Sequence, residues 1–259
     1  MLRLIRLGRR QLRRRFRPGP SKRRIVLHIG AHKTGTTYIQ HMMEANRSRL
    51  PLAYETVPRR QRHLHALTQM TAGAQTDVAA AELSETLTQT AAQLANRFSR
   101  VETLLITHEG LPGPLPGRKM FKGLYPQAQN LLPPIVKGLQ QSGAEVVVVF
   151  YKRRFRDWQA SLYHYRHIDN PERAYHPARF AERTGLPDDW TDVITRMRDP
   201  LPGVEFHVVS YEKDRASGLL GRALLTLLGL SDDQIALLRK LPPKNVSREK
   251  TRHDFQFDR

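Results

Sequence analysis

In the stretch AEVVVVFY, residues 144–151, six apolar or aromatic residues follow Glu145 without a break. A strand with one wet face alternates polar and apolar positions. This one does not, so both of its faces are buried, as in a parallel sheet covered by helices. RIVLHI (24–29), ending at Gly30, is a second run of this kind. ETLLITHE (102–109) and VEFHVVSYE (204–212) supply two more strands. Between them, helical spacing or composition runs through 36–50, 77–98, 132–143, 156–167, 216–230 and 232–241, with shorter helices expected near 62–70, 177–184 and 188–198. Residues 52–76 are otherwise mixed and polar. Strands alternating with helices predict an α/β fold with a central parallel sheet flanked by helices. Ligands of such sheets sit at the carboxyl ends of the strands, which makes residues 30–37, 108–110, 151–161 and 211–213 the informative ones.

The chain has 259 residues, 39% of them apolar, enough for one large core. Its formal charge of +19 is concentrated at the start: residues 1–24 hold eleven Arg or Lys and no acid, and subtracting them leaves +8 on the rest. The expected organisation is a basic arm over residues 1–22 and an α/β domain over 23–259, separated by PGPSK (18–22). The arm has no apolar h-region and does not read as an export signal. It is either a solvated charge run or a helix lying on an anionic membrane surface through residues 1–17, with Leu2, Leu4, Ile5, Leu7, Leu12 and Phe16 as its apolar stripe. A single aromatic gives it no stacking platform, which argues against specific nucleic-acid binding. No apolar run reaches 18 residues, so no membrane span is expected. There is no cysteine, hence no disulfide, thiolate metal site or cysteine nucleophile. His63/His65 and His164/His167 are spaced like metal pairs, but no third ligand completes a motif, and no metal site is expected.

RRIVLHIGAHKTGTTYIQ, residues 23–40, reads as a buried strand, a loop bracketed by glycines and a helix start. Gly30 and Gly35 keep the G-x-x-x-x-G spacing of a phosphate loop. Glycines let backbone N–H groups turn toward an anion, and a helix N-terminus adds about half a positive charge. The standard loop has Lys after its second glycine. Here Thr36 and Thr37 follow Gly35, and the lysine is Lys33, three positions early.

HIGAHKTGTTYIQ resembles the 5′-phosphosulfate loop of sulfotransferases that use 3′-phosphoadenosine 5′-phosphosulfate (PAPS), a family with a P-loop NTPase-like sheet. The resemblance implies that Lys33 is catalytic, stabilising the phosphate leaving group, and that Gly30, Thr34, Gly35, Thr36 and Thr37 cradle the 5′-phosphate. A second segment supports it. After the strand, KRRFRDWQASLYHY places Arg153 and Ser161 eight residues apart, the separation at which family members hold the 3′-phosphate. Arg154 and Arg156 are substitutes if the register differs. Three cations, Lys152 to Arg154, follow this strand where a P-loop kinase would carry an acid for Mg²⁺, so no metal is expected. The resemblance also implies a His or Glu base for the acceptor hydroxyl. THEG offers His108 and Glu109, which point to opposite faces if extended. Glu109 is preferred because glycan-directed members often use Glu. Glu212 reads as structural, and Lys244 and Arg248 are candidates for a closing basic loop.

The resulting expectation is a PAPS-dependent sulfotransferase that needs no metal and acts on a hydroxyl-bearing acceptor, a saccharide or glycolipid. With no cysteine and no anchor, it is expected to be bacterial and cytoplasmic, held near a membrane if the arm is the surface helix. The alternatives are an atypical P-loop kinase and a nucleotide-binding protein without turnover.

Overall fold

A computed structural model of the chain describes residues 23–50, the backbone of 54–57, and residues 62–74, 76–116, 122–167 and 176–242. The basic arm, Lys244 and Arg248 lie outside the described residues. Five parallel strands form one sheet: β1 (Arg24–His28), β2 (Tyr54–Val57), β3 (Thr103–Thr107), β4 (Glu145–Lys152) and β5 (Glu205–Ser210), in the order β2-β3-β1-β4-β5. β1 is central. The chain first builds outward to β2 and β3 on one side, then crosses to β4 and β5 on the other. That reversal at β1 opens the crevice in which such sheets bind ligands.

Alternate residues of the strands feed two separate cores, so the sheet is buried on both faces. Ile25, Leu27, Leu104, Ile106, Val146, Val148 and Phe150 face one layer. It is formed by α2 (Arg62–Gly73), α3 (Asp77–Arg97), α4 (Ala128–Gln140), α5 (Phe155–His167), α6 (Pro177–Thr184) and α7 (Thr191–Arg198). Val26, Leu105, Val147, Val149 and Tyr151 face the other. There lie α1 (Thr36–Ala45), α9 (Arg222–Leu227) and α10 (Asp232–Ala236); α8 (Tyr211–Ala216) runs on from β5. The two-sided burial expected from AEVVVVFY is realised by residues 146–151, all buried.

Several elements differ from the sequence reading: the strand read over 204–212 gives way to α8 at Tyr211, and the helices read over 36–50 and 232–241 end at Ala45 and Ala236. β2 pairs with β3, although YETV is too short to show a period. α4 begins at Ala128, a turn before Leu132, and carries Pro133 and Pro134 inside it; buried Ala128, Leu131 and Leu132 hold that first turn against the core. The apolar segment 216–230 is not one helix. Gly218 (φ 87°) and Gly221 (φ 100°) adopt left-handed backbone, and only Arg222–Leu227 is helical. The buried Asp214 carboxylate accepts the N–H groups of Gly221 (2.6 Å) and Ala223 (2.7 Å), starting the helix there. Asn46, which fits a glycosylation pattern, is buried. Its side chain bonds the carbonyls of Met42 and Arg239 and the N–H of Arg239, joining the end of α1 to the end of α10.

Candidate functional site

Four neighbouring strands each deliver one informative side chain at the carboxyl edge of the sheet. In spatial order they are Glu109 after β3, Lys33 after β1, Arg153 after β4 and Tyr211 after β5. Adjacent strands are about 4.8 Å apart, so residues contributed in this order form a row rather than a scatter.

The loop between β1 and α1 is made by its glycines. Gly30 has φ 106°, and a side chain there would stand 3.1 Å from Glu109 Cβ and 3.2 Å from its Cα. Glycine therefore lets the end of β3 close onto the loop. Gly35 has φ 85°, and a Cβ would come within 2.5 Å of Leu220 Cδ2 and 3.4 Å of the Tyr211 ring. Gly35 is the N-cap of α1 and offers no side chain to the first helical N–H groups. Those groups have no intrahelical acceptor and point out of the helix start. Thr36, at that start, is 4% exposed, and its Oγ1 has no hydrogen-bond partner among the described residues. A buried, unpartnered hydroxyl beside uncapped amides fits an anion. Thr34 serves the loop itself: its hydroxyl donates to the Ala31 carbonyl at 2.6 Å.

Lys33 also has a left-handed backbone, φ 65°, and is half-buried. Its neighbour His32 is held on two sides. The Tyr125 hydroxyl accepts the His32 N–H at 3.0 Å and lies 2.7 Å from its Nδ1, while Trp158 Nε1 donates to the His32 carbonyl at 2.8 Å. Lys33 Nζ lies 4.1 Å from the centre of the Tyr165 ring. Burial, then the charges of Arg153 and Arg166, hold the Lys33 ammonium below its usual pKa; Glu109 opposes the shift. Arg153, Arg166 and Glu109 thus lie within electrostatic reach of Lys33.

Arg153 leaves β4 with its guanidinium carbon 5.3 Å from the centre of the Tyr211 ring, the ring that also faces Gly35. One aromatic ring therefore spans from the loop to Arg153. Arg154 takes another role: it is exposed, pairs with Asp157 at 3.1 Å, and donates its backbone N–H to Glu212 at 2.9 Å. Arg156 is exposed. Ser161 is flanked on its helix face by Trp158 and Tyr165, three positions before and four after, both of which touch the loop.

Of the two acids and bases after β3, Glu109 is buried beside Gly30 and acts on Lys33. His108 is engaged by the turn that follows it, its Nδ1 accepting the Gly110 N–H at 3.0 Å. His28, at the end of β1, is fully buried, with Nδ1 2.8 Å from Thr107 Oγ1; burial pushes its pKa down to about 4, against the pull of Glu109.

Tyr211, Tyr165, Arg166, Trp158 and Tyr125 were not singled out from the sequence. Arg166 donates to the carbonyls of Leu115 (2.8 Å) and Pro116 (2.7 Å), tying the segment that follows Glu109 to α5. Trp158 and Tyr211 had a positional signal, lying in the stretches 151–161 and 211–213 at strand ends; Tyr165, Arg166 and Tyr125 had none. Among the described residues, no helix is long and apolar enough to cross a membrane.

No family model matches the chain, and no curated protein matches it. Among solved structures, mouse sulfotransferase SULT7A1 complexed with PAP aligns with a TM-score of 0.43 at 16% identity, over 83% of this chain and 63% of that one. The chain thus spans less than two thirds of the mouse protein. APE1195 aligns at 0.40 and 14%, over 84% and 98% of the two chains. A gluconokinase from Sinorhizobium meliloti 1021 aligns at 0.37 and 15%, over 82% and 94%.

Proposed function

We propose that this protein is a PAPS-dependent sulfotransferase. The observation that carries the reading is the row Glu109–Lys33–Arg153 across adjacent strand ends, with both cations at the carboxyl edge of the sheet, the charge of Arg153 bearing on Lys33, and the Tyr211 ring lying between Arg153 and the loop. A nucleotide with phosphates at both ends of its ribose needs two cationic pockets of this kind. Gly35, Thr36 and Thr37 would hold the 5′-phosphate, and Arg153 with Ser161 the 3′-phosphate. Thr34 contributes its backbone, since its hydroxyl is engaged within the loop. PAPS supplies the activated sulfuryl group. Glu109 would take the proton of the acceptor hydroxyl as that oxygen bonds to sulfur. Lys33, on the other side, would meet the charge that develops on the departing phosphate oxygen. His108 is the alternative base and would have to release Gly110 to act. The acceptor would lie over β3, between Glu109 and the segment tied down by Arg166. A saccharide or glycolipid hydroxyl is the proposed acceptor class, and membrane contact by the basic arm is the proposed means of reaching it.

One observation favours a second reading, a kinase. Glu109 follows the strand next to the phosphate loop, and Thr37 occupies the Ser/Thr position of a P-loop, both of which could serve a metal–nucleotide complex. Titration with 3′-phosphoadenosine 5′-phosphate and with ATP, each with and without Mg²⁺, separates the two. The sulfotransferase reading expects tight, Mg²⁺-independent binding of the bisphosphate. Arg153→Ala should weaken it about tenfold or more, as loss of a charge-assisted hydrogen bond does. Tighter binding of Mg²⁺–ATP than of the bisphosphate would transfer the assignment to the kinase.

A further inference from the structure

The two anion pockets are joined by a feature that the proposed chemistry does not itself require. The chain contains two tryptophans. Trp158 donates its indole N–H to the His32 carbonyl, one residue before Lys33, at 2.8 Å. Trp190 donates its own to the carbonyl of Arg153 at 2.6 Å. The two indoles meet edge to face, 5.1 Å apart and inclined at 66°. Phe155 packs against both, at 5.4 Å and 5.2 Å, and Phe150 against Trp190 at 5.6 Å. Trp158 is fully buried and Trp190 nearly so. We infer that Trp158 and Trp190 are positioning residues: a rigid two-indole bridge that holds the backbone at Lys33 and the backbone at Arg153 at a fixed separation, and so sets the span of ligand the site accepts.

The physical case is one of stiffness. β1 and β4 are already fixed to each other by the sheet, with register up to the Ala31 N–H and Tyr151 carbonyl. Beyond that point both chains turn away, into the loop and into α5. Without cross-links, His32–Lys33 and Arg153–Arg154 would relax independently. A buried aromatic ring has few rotatable bonds, and edge-to-face contacts fix its tilt. Its N–H is a directional donor that must find a partner when buried. Each indole therefore transmits the position of the core to one carbonyl, and the contact between them makes the two carbonyls move together. Tyr125 holds the opposite side of His32, so the loop cannot swing away from the bridge.

This inference rests on the proposed use of two phosphate pockets, and the test keeps the two apart. Affinities for 3′-phosphoadenosine 5′-phosphate and for adenosine 5′-monophosphate are measured on the parent protein, on Trp190→Phe and on Trp158→Phe, with circular dichroism and a thermal melt on each. The ratio of the two affinities is taken within one sample, so partial unfolding cancels. Trp190→Phe keeps the aromatic packing and loses the bond to Arg153. It should lower bisphosphate affinity about three- to tenfold, the range for one neutral hydrogen bond, and leave the monophosphate unchanged. Trp158→Phe should weaken both ligands, because both use the Lys33 end, and the bisphosphate by the larger factor, because the span is released with it. A Trp190→Phe protein that keeps the parental ratio overturns the bridge. A parent protein with no preference for the bisphosphate overturns the two-pocket reading, and the bridge with it.

Discussion

Gly138 lies in α4 where that helix crosses α3, and its replacement by Ala tests the helical layer under the site. In an isolated helix Gly→Ala is stabilising by about 0.8–1 kcal/mol. Here an added Cβ would fall 2.1 Å from the Thr88 carbonyl oxygen and 2.8 Å from Ala91 Cβ. Carbon–oxygen contacts settle near 3.3 Å, so the two helices would have to part by about 1 Å. A gap of that size forfeits roughly a quarter to a half of each contact it opens. The contacts at stake include buried Leu87, Leu94, Leu131, Ile135 and Leu139. Overpacking of this kind typically costs about 1–3 kcal/mol, which exceeds the propensity gain and reverses the sign. The expectation is a net loss of about 1 kcal/mol, or roughly 0.4 M in the urea midpoint for an m-value near 3 kcal/mol per molar. Gly73→Ala is the control: it ends α2 and a Cβ there meets nothing within 4 Å, so it should be neutral or mildly stabilising. Urea titrations followed by circular dichroism decide the matter. A Gly138→Ala protein as stable as the parent would refute the close crossing of α3 and α4.

Two further predictions concern pH. The unfolded chain takes up a proton on His28 near pH 6.5 and the folded one only near 4, so stability should fall as pH drops through that window, by about 3 kcal/mol in all. His28→Gln should flatten the acid limb of a plot of urea midpoint against pH; an unchanged limb would exclude His28 as its source. Lys33 titrates below its ordinary value because it is buried among cations, so turnover that needs its charge should fall on the alkaline side at a pH below the usual lysine range. Lys33→Arg should move that limb upward, and a pH–rate profile that keeps its alkaline limb in this variant would remove Lys33 from the step.

Much of the candidate site's geometry was legible because its first elements are local. Gly30, Lys33, Gly35, Thr36 and Thr37 lie within eight residues of one another, and both Gly30 and Gly35 take the positive φ that a loop of this spacing needs. Arg153 follows a strand whose unbroken apolar run announced its burial. Thr34 was read as a ligand and uses its hydroxyl within the loop, a detail of backbone path that spacing does not carry. His108 and Glu109 stood as alternatives because alternation says that two adjacent residues diverge but not which faces Lys33. The register of β3 against β1, and the missing side chain at Gly30, bring Glu109 in.

By itself the sequence determined the strands β1, β3, β4 and β5, the parallel sheet they require and the glycine-bracketed loop that opens α1, since each follows from residues within a few positions of one another. The tertiary structure alone decided the strand order, the pairing of YETV as β2, the break at Gly218 and Gly221, and the approach of Tyr211, Trp158 and Trp190 to the loop and to Arg153. These depend on contacts between distant segments: Asp214 starts a helix at Gly221, and indoles on α5 and at the start of α7 reach carbonyls 126 and 37 residues away. Hydrophobic period records which face of a segment is buried, and only packing selects what that face is buried against.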